Sequence, residues 1–159
     1  MEITIRRLDS ESPWAWSMYP VFEERVKEFC NRHLMTETNQ PELLKEMRVR
    51  WLFSPEKAGY WLVLRPDNSV GGHIVAWTAK LWEKEYVFCY QWEMDNWFER
   101  GSVELAFKDF IRWINSLGLD TMEFHTPHEA KLFTRHLKRF GIESAKIRSV
   151  IRAKIEKVT

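Results

Sequence analysis

The sequence predicts an α/β fold of the α+β kind, one mixed sheet with helices on both faces, in the order β-α-α-β-β-β-α-β-α-β. Three observations carry this. Residues 59–95 fall into three strand-length apolar or aromatic blocks separated by short polar turns. Residues 102–118 place apolar side chains at helical spacing and end on a glycine. Further strand-length segments then follow each of the last two helices. The 159 residues suit a single domain, 1–159, with one well-developed core.

Ile3, Ile5 and Leu8 alternate with Thr4 and Arg6 as an opening strand. Pro13, after Ser10 and Ser12, starts a helix in which Val21/Phe22, Val26, Phe29/Cys30 and Leu34 recur at helical spacing. Pro20 should kink or divide that helix. A second helix runs from Pro41 to about Leu52, with Thr38 and Asn39 as cap candidates and Leu43/Leu44, Met47 and Trp51 as its apolar stripe. Gly59–Arg65, Val70–Trp82 and Tyr86–Asp95 then read as an antiparallel meander, with turns at Pro66–Ser69 and Glu83–Glu85. Gly71-Gly72 marks a bulge or a close backbone approach.

The helix over 102–118 carries Val103, Ala106/Phe107, Phe110/Ile111, Ile114 and Leu117 on one face. Met122 and Phe124 alternate with Glu123 and His125 in a short strand. Thr126-Pro127-His128-Glu129 is a capping box with proline at its first helical position, so another helix begins there and closes on Gly141. Residues 145–155 alternate again, with Lys146, Arg148, Arg152 and Lys154 on the outer face.

Composition is that of a globular chain, 45% hydrophobic and 30% charged. Nine Trp and ten Phe point to an aromatic core, or to an aromatic surface for a protein partner. A net charge of +1 gives no argument for nucleic acid. Charge is uneven, however: residues 131–159 hold nine Lys/Arg against two acids. Cys30 and Cys89 form neither a CxxC pair nor a zinc pattern, and the five His include no HExxH. With no signal-peptide core and no apolar run of membrane-spanning length, the expectation is a reduced, cytoplasmic protein without a membrane segment.

The clearest functional clue is the β-loop-α unit over residues 86–118. The unpaired N–H groups that open a helix bind anions, and Arg100 and Gly101 stand at that junction. The element order and several joints resemble the GCN5-related N-acetyltransferase superfamily. ITIRRL is similar to its first strand and WLVLRPDNSVGGHIVAW to its second and third. HEAKLFTRHLKRFGIES is similar to its fourth helix. The resemblance implies an acetyl-CoA-dependent N-acyltransferase acting on a small-molecule or protein amine. Its pyrophosphate would rest on Arg100, Gly101, Ser102 and Val103, and its thioester beside Met94.

Glu93 is the candidate base, directly or through a water, and Tyr90 and His125 are further candidates for proton transfer. Asp95, His136, Trp92 and Trp97 border the same region. The family's loop pattern is Gln/Arg-x-x-Gly-x-Gly/Ala; aligned on Gly101, this chain has Phe98-Glu99-Arg100-Gly101-Ser102-Val103. Leu137 stands where the family often has a tyrosine acid, and Ile142 where it has a phenylalanine. These departures leave open an alternative, a catalytically degenerate member that serves as a binding or structural subunit.

Overall fold

The computed structural model describes residues 3–33, 39–95, 100–124 and 138, apart from the side chains of Arg100 and Ser102. The chain divides into two compact units, Met1–His125 and Thr126–Thr159, and every element named here lies in the first. The helix expected from 126 and the basic strand over 145–155 fall outside the described residues, except that Lys138 is helical.

Strand β1 (Thr4–Arg7) leads into helix α1 (Pro13–Arg32), helix α2 (Gln40–Phe53) and a single 3-10 turn at Pro55–Lys57. Strands β2 (Ala58–Leu64), β3 (Val70–Leu81) and β4 (Lys84–Met94) follow, then helix α3 (Arg100–Ser116) and strand β5 (Met122–Phe124). They form one five-stranded sheet in the order β1-β2-β3-β4-β5. The first three pairings are antiparallel and β4 with β5 is parallel, so the sheet is mixed as expected. A parallel return requires a crossover, and α3 supplies it.

Helices lie on both faces, which is why every residue of β2 is buried. Tyr60, Leu62 and Leu64 face α1 and α2, where they meet Tyr19, Phe22, Val26, Met47 and Trp51. Trp61 faces the opposite side and packs with Phe110, Trp113 and Ile114 of α3. Successive strand residues thus feed two separate cores, as the period of two demands. Gly59 is glycine for a steric reason: a Cβ there would sit 2.6 Å from the Trp113 ring.

Pro20 does not divide α1, which runs unbroken through it. An interior proline removes one N–H bond, but Ala15, Tyr19, Phe22 and Val26 are fully or nearly fully buried on either side of it. That burial outweighs the roughly 3 kcal/mol a mid-helix proline costs. Asn39 caps α2, its side chain accepting from the Glu42 N–H at 3.3 Å. The β3–β4 turn is tighter than the charged loop expected at Glu83–Glu85. Leu81 pairs with Lys84, leaving only Trp82 and Glu83 in the turn, both at positive φ.

Two register shifts shape the sheet. Val63 pairs with Gly72 and Leu64 with Val70, so Gly71 is the extra residue of a bulge in β3. Gly72 also meets the expectation of close approach, because an added Cβ would lie 2.7 Å from the Glu93 carbonyl oxygen. In β4 the extra residue is Tyr90: Ala76 pairs with Cys89 and Val75 with Gln91.

Candidate functional site

The bulge at Tyr90 governs what the end of β4 presents. Before it, Val87 and Cys89 point into the α3 core. After it, Trp92 and Met94 point there, while Gln91 and Glu93 turn to α1. Tyr90 and Gln91 therefore both face the α1/α2 layer, an arrangement that regular pleating forbids. Pairing with β5 joins Val87, Phe88 and Cys89 to Met122, Glu123 and Phe124. Strand β4 continues to Met94 beyond the last of these pairs.

Around Glu93 lies a polar network that the sequence did not reveal. Arg32 donates from Nη2 to Glu93 Oε1 at 2.7 Å, and Arg25 donates to the same oxygen at 3.2 Å. Arg25 also reaches Asp95 Oδ1 at 3.3 Å. Arg65, from the β2–β3 turn, binds Asp95 Oδ2 at 2.5 Å and the Val70 carbonyl at 2.8 Å. Three guanidiniums thus face two carboxylates. The Glu93 carboxylate lifts the Arg32 pKa above its ordinary value, mainly through their hydrogen bond, so Arg32 stays cationic.

Beneath the ions sits His73, fully buried. Arg25 Nε approaches its Nδ1 at 3.4 Å, and its Nε2 lies 2.8 Å from Gln91 Oε1. A guanidinium N–H can only donate, so Nδ1 accepts and Nε2 carries the proton given to Gln91. The Gln91 amide then donates to the Val26 carbonyl and to Cys30 Sγ. Burial first, and the Arg25 charge after it, push the His73 pKa down to about 4.

Glu93 is thus brought to the strand end, only 14% exposed, with Oε1 held by two arginines. Its Oε2 accepts no hydrogen bond among the described residues. Tyr90 joins an aromatic group with Trp77 and Phe88, at ring separations of 5.4 and 6.1 Å. Met94 packs against the α3 core and pairs with Gly72. Trp92 packs on Phe107 and Phe110 in that core, where its aromatic bulk is structural. His125, His136, Leu137, Ile142 and Trp97 lie outside the described residues.

Helix α3 begins at Arg100, two residues before the expected Ser102, so Gly101 belongs to its first turn and not to the loop. The physical reason is that first-turn N–H groups have no helical partner anyway, which makes glycine tolerable there. Val103 is partly buried just after it. Among the described residues, the first turn holds no acidic residue, and no atom comes within 4 Å of a Cβ added at Gly101. Helix-start N–H groups with no carboxylate among the described residues of that turn fit a phosphate.

Cys30 and Cys89 are free and buried, and burial raises both thiols above their ordinary range, so neither suits a nucleophile. No group of three or more metal-ligating side chains occurs among the described residues. Nor is any helix among them long and apolar enough to cross a membrane.

No protein-family model and no curated protein matches the sequence. Solved structures do. AAC(6')-Iy, in complex with the bisubstrate analogue CoA-S-monomethyl-acetylneamine, aligns at a TM-score of 0.67 and 13% identity, over 98% of this chain and 100% of that one. An aminoglycoside acetyltransferase from an uncultured soil metagenomic sample, in complex with sisomicin, gives 0.62 and 16%, over 98% and 97%. A further soil-metagenome aminoglycoside acetyltransferase gives 0.62 and 12%, over 97% and 100%. With the mixed sheet, the α3 crossover and helices on both faces, the chain shares the fold of these acetyltransferases.

Proposed function

We propose that this protein transfers an acetyl group from acetyl-CoA to a small-molecule amine. One observation supports the reading above the rest. The strand that carries Glu93 is followed by a helix whose first turn, among the described residues, has no acid and leaves Gly101 without a neighbour within 4 Å of an added Cβ. A base and an anion-binding helix start then stand at one sheet end, as acyl transfer from a pyrophosphate-bearing thioester requires.

Arg100, Gly101, Ser102 and Val103 are the stretch that would hold the pyrophosphate, with Met94 beside the thioester. Acetyl-CoA supplies the activated acyl group. The amine nitrogen forms a bond to the acyl carbon as the carbon–sulfur bond breaks. The amine proton passes to Glu93 Oε2, directly or through water, and the CoA sulfur leaves with the bonding pair and is then protonated. Arg25 and Arg32 keep Oε1 occupied, so Oε2 is the oxygen left to act.

Calorimetric titration with CoA tests the reading. Micromolar binding is expected, and Gly101→Glu should abolish it by placing a carboxylate in the first turn. Free-thiol release with an amine panel then tests turnover. A chain that binds no CoA is not an acetyltransferase.

The second reading, a non-catalytic binding subunit, draws on the exposed aromatics Trp82 and Phe53, which are 92% and 80% accessible. Absence of CoA binding together with a partner engaging Trp82 would favour it.

A further inference from the structure

The charges at the end of β4 carry information about the acceptor. Two carboxylates there, Glu93 and Asp95, are already bound by the guanidiniums of Arg25, Arg32 and Arg65. The three guanidiniums are not evenly exposed. Arg25 and Arg65 are mostly covered, at 17% and 27% of the side chain, whereas Arg32 is 54% open. Arg32 uses only Nη2 on Glu93, and its other guanidinium nitrogens make no hydrogen bond among the described residues. Glu28, one turn earlier on α1, and Asp95 also act on it electrostatically, and no hydrogen bond links either to it among the described residues.

Beside Arg32, Glu93 presents Oε2 with no hydrogen bond among the described residues, while Oε1 is taken. An exposed cationic head and a carboxylate whose second oxygen has no hydrogen bond among the described residues are therefore neighbours, joined through a 2.7 Å bond. This is the complement of a ligand carrying both charges a few atoms apart. Its ammonium would meet Glu93 Oε2 and its carboxylate would meet Arg32, as charge-assisted hydrogen bonds of opposite polarity. A polyamine with no acidic group offers nothing to Arg32 and is repelled by it.

We infer that the acceptor is a small amine bearing a carboxylate close to the reacting nitrogen, as an amino acid does, with Arg32 gripping the carboxylate and Glu93 receiving the amine. The inference rests on the acetyl-transfer reading for the chemistry, but the recognition can be measured without it.

The experiment is direct binding to the intact protein, by saturation-transfer NMR and calorimetry. The probes are the common L-amino acids and decarboxylated counterparts such as lysine with cadaverine and phenylalanine with phenethylamine. At least one amino acid should bind, and its decarboxylated partner should bind about tenfold more weakly or worse. Arg32→Ala should erase that difference and Arg32→Lys keep part of it, with the circular dichroism of both variants unchanged. CoA affinity should not respond to either variant. An amine that binds as tightly as its amino acid overturns the inference, as does a wild-type protein that binds no amino acid. Discrimination without any CoA binding would leave the recognition site standing and remove the acetyl-transfer reading.

Discussion

Gln91 accepts a 2.8 Å hydrogen bond from His73 in a part of the sheet where both residues are buried from solvent. Because Arg25 stands on the opposite ring nitrogen, a second proton on His73 would point at a guanidinium. The folded protein therefore keeps this ring neutral down to a pKa of about 4, while the unfolded chain protonates it near 6.5.

Stability should follow. Above pH 6.5 both states leave the ring neutral and nothing is lost. Between about 6.5 and 4 the unfolded state binds the extra proton, so unfolding becomes easier as pH falls. Fully developed, the loss is on the order of 3 kcal/mol for a buried group of this kind. Urea unfolding at pH 7, 5.5 and 4.5 measures it. His73→Gln should flatten the pH dependence of stability in this window, whatever it does to stability at pH 7. An unchanged slope would remove His73 as its cause.

Gly59 offers a test of the α3 core. A methyl at this position would lie 2.6 and 2.7 Å from two Trp113 ring carbons and 2.8 Å from one of Trp61. Trp113 cannot turn aside freely, since its Nε1 donates to the Glu56 carbonyl at 2.9 Å. Gly59→Ala should lower the unfolding free energy by about 1–3 kcal/mol through overpacking. Combining it with Trp113→Leu should cost less than the two changes summed, and strict additivity would show that the methyl and the ring do not collide.

How far the sequence exposed these features depends on the range over which each acts. The strands and helices of residues 4–124 were legible because periodicity is local: the α3 stripe at Ala106, Phe107, Phe110 and Ile114 is buried as its spacing implies. Trp113 escaped because it lies beside that stripe, and only its fit over Gly59 shows why it is buried. The arginine network was invisible for a different reason. Arg25 and Arg32 look like the solvated side of α1, and their partner Glu93 is 68 and 61 residues away. The bulge at Tyr90 has no glycine to announce it, yet it decides that Gln91 and Glu93 face α1. Glu93 itself was legible as a strand-end carboxylate; its oriented, half-occupied state was not.

Gly72 links stability to the site. A Cβ there would come within 2.7 Å of the Glu93 carbonyl oxygen and 3.3 Å of Met94 Cα, and main-chain atoms cannot swing away as a side chain can. Gly72→Ala should force β3 and β4 apart at the pair that positions Glu93. We expect a loss of about 1–3 kcal/mol in urea unfolding. If the protein is active, kcat should fall while CoA affinity holds, because the disturbance centres on the base. Wild-type stability in this variant would show that the two strands have room to spare.

The β3–β4 turn makes the opposite prediction, a gain. Trp82 and Glu83 sit at φ 52° and 66°, between Leu81 and Lys84, as a two-residue turn of the I′ type requires. Asn and Gly suit these positions, whereas a residue with a large side chain is strained by roughly 1 kcal/mol or more in the left-handed region. Nor does Trp82 recover that cost by burial, since it is 92% exposed. The double change Trp82→Asn with Glu83→Gly should therefore raise stability by about 1 kcal/mol, a rise of about 2–4 °C in Tm for a chain of this size. Calorimetric unfolding checks it. A fall in Tm would mean that the exposed indole contributes to the fold, and would also withdraw Trp82 from the surface offered to a partner.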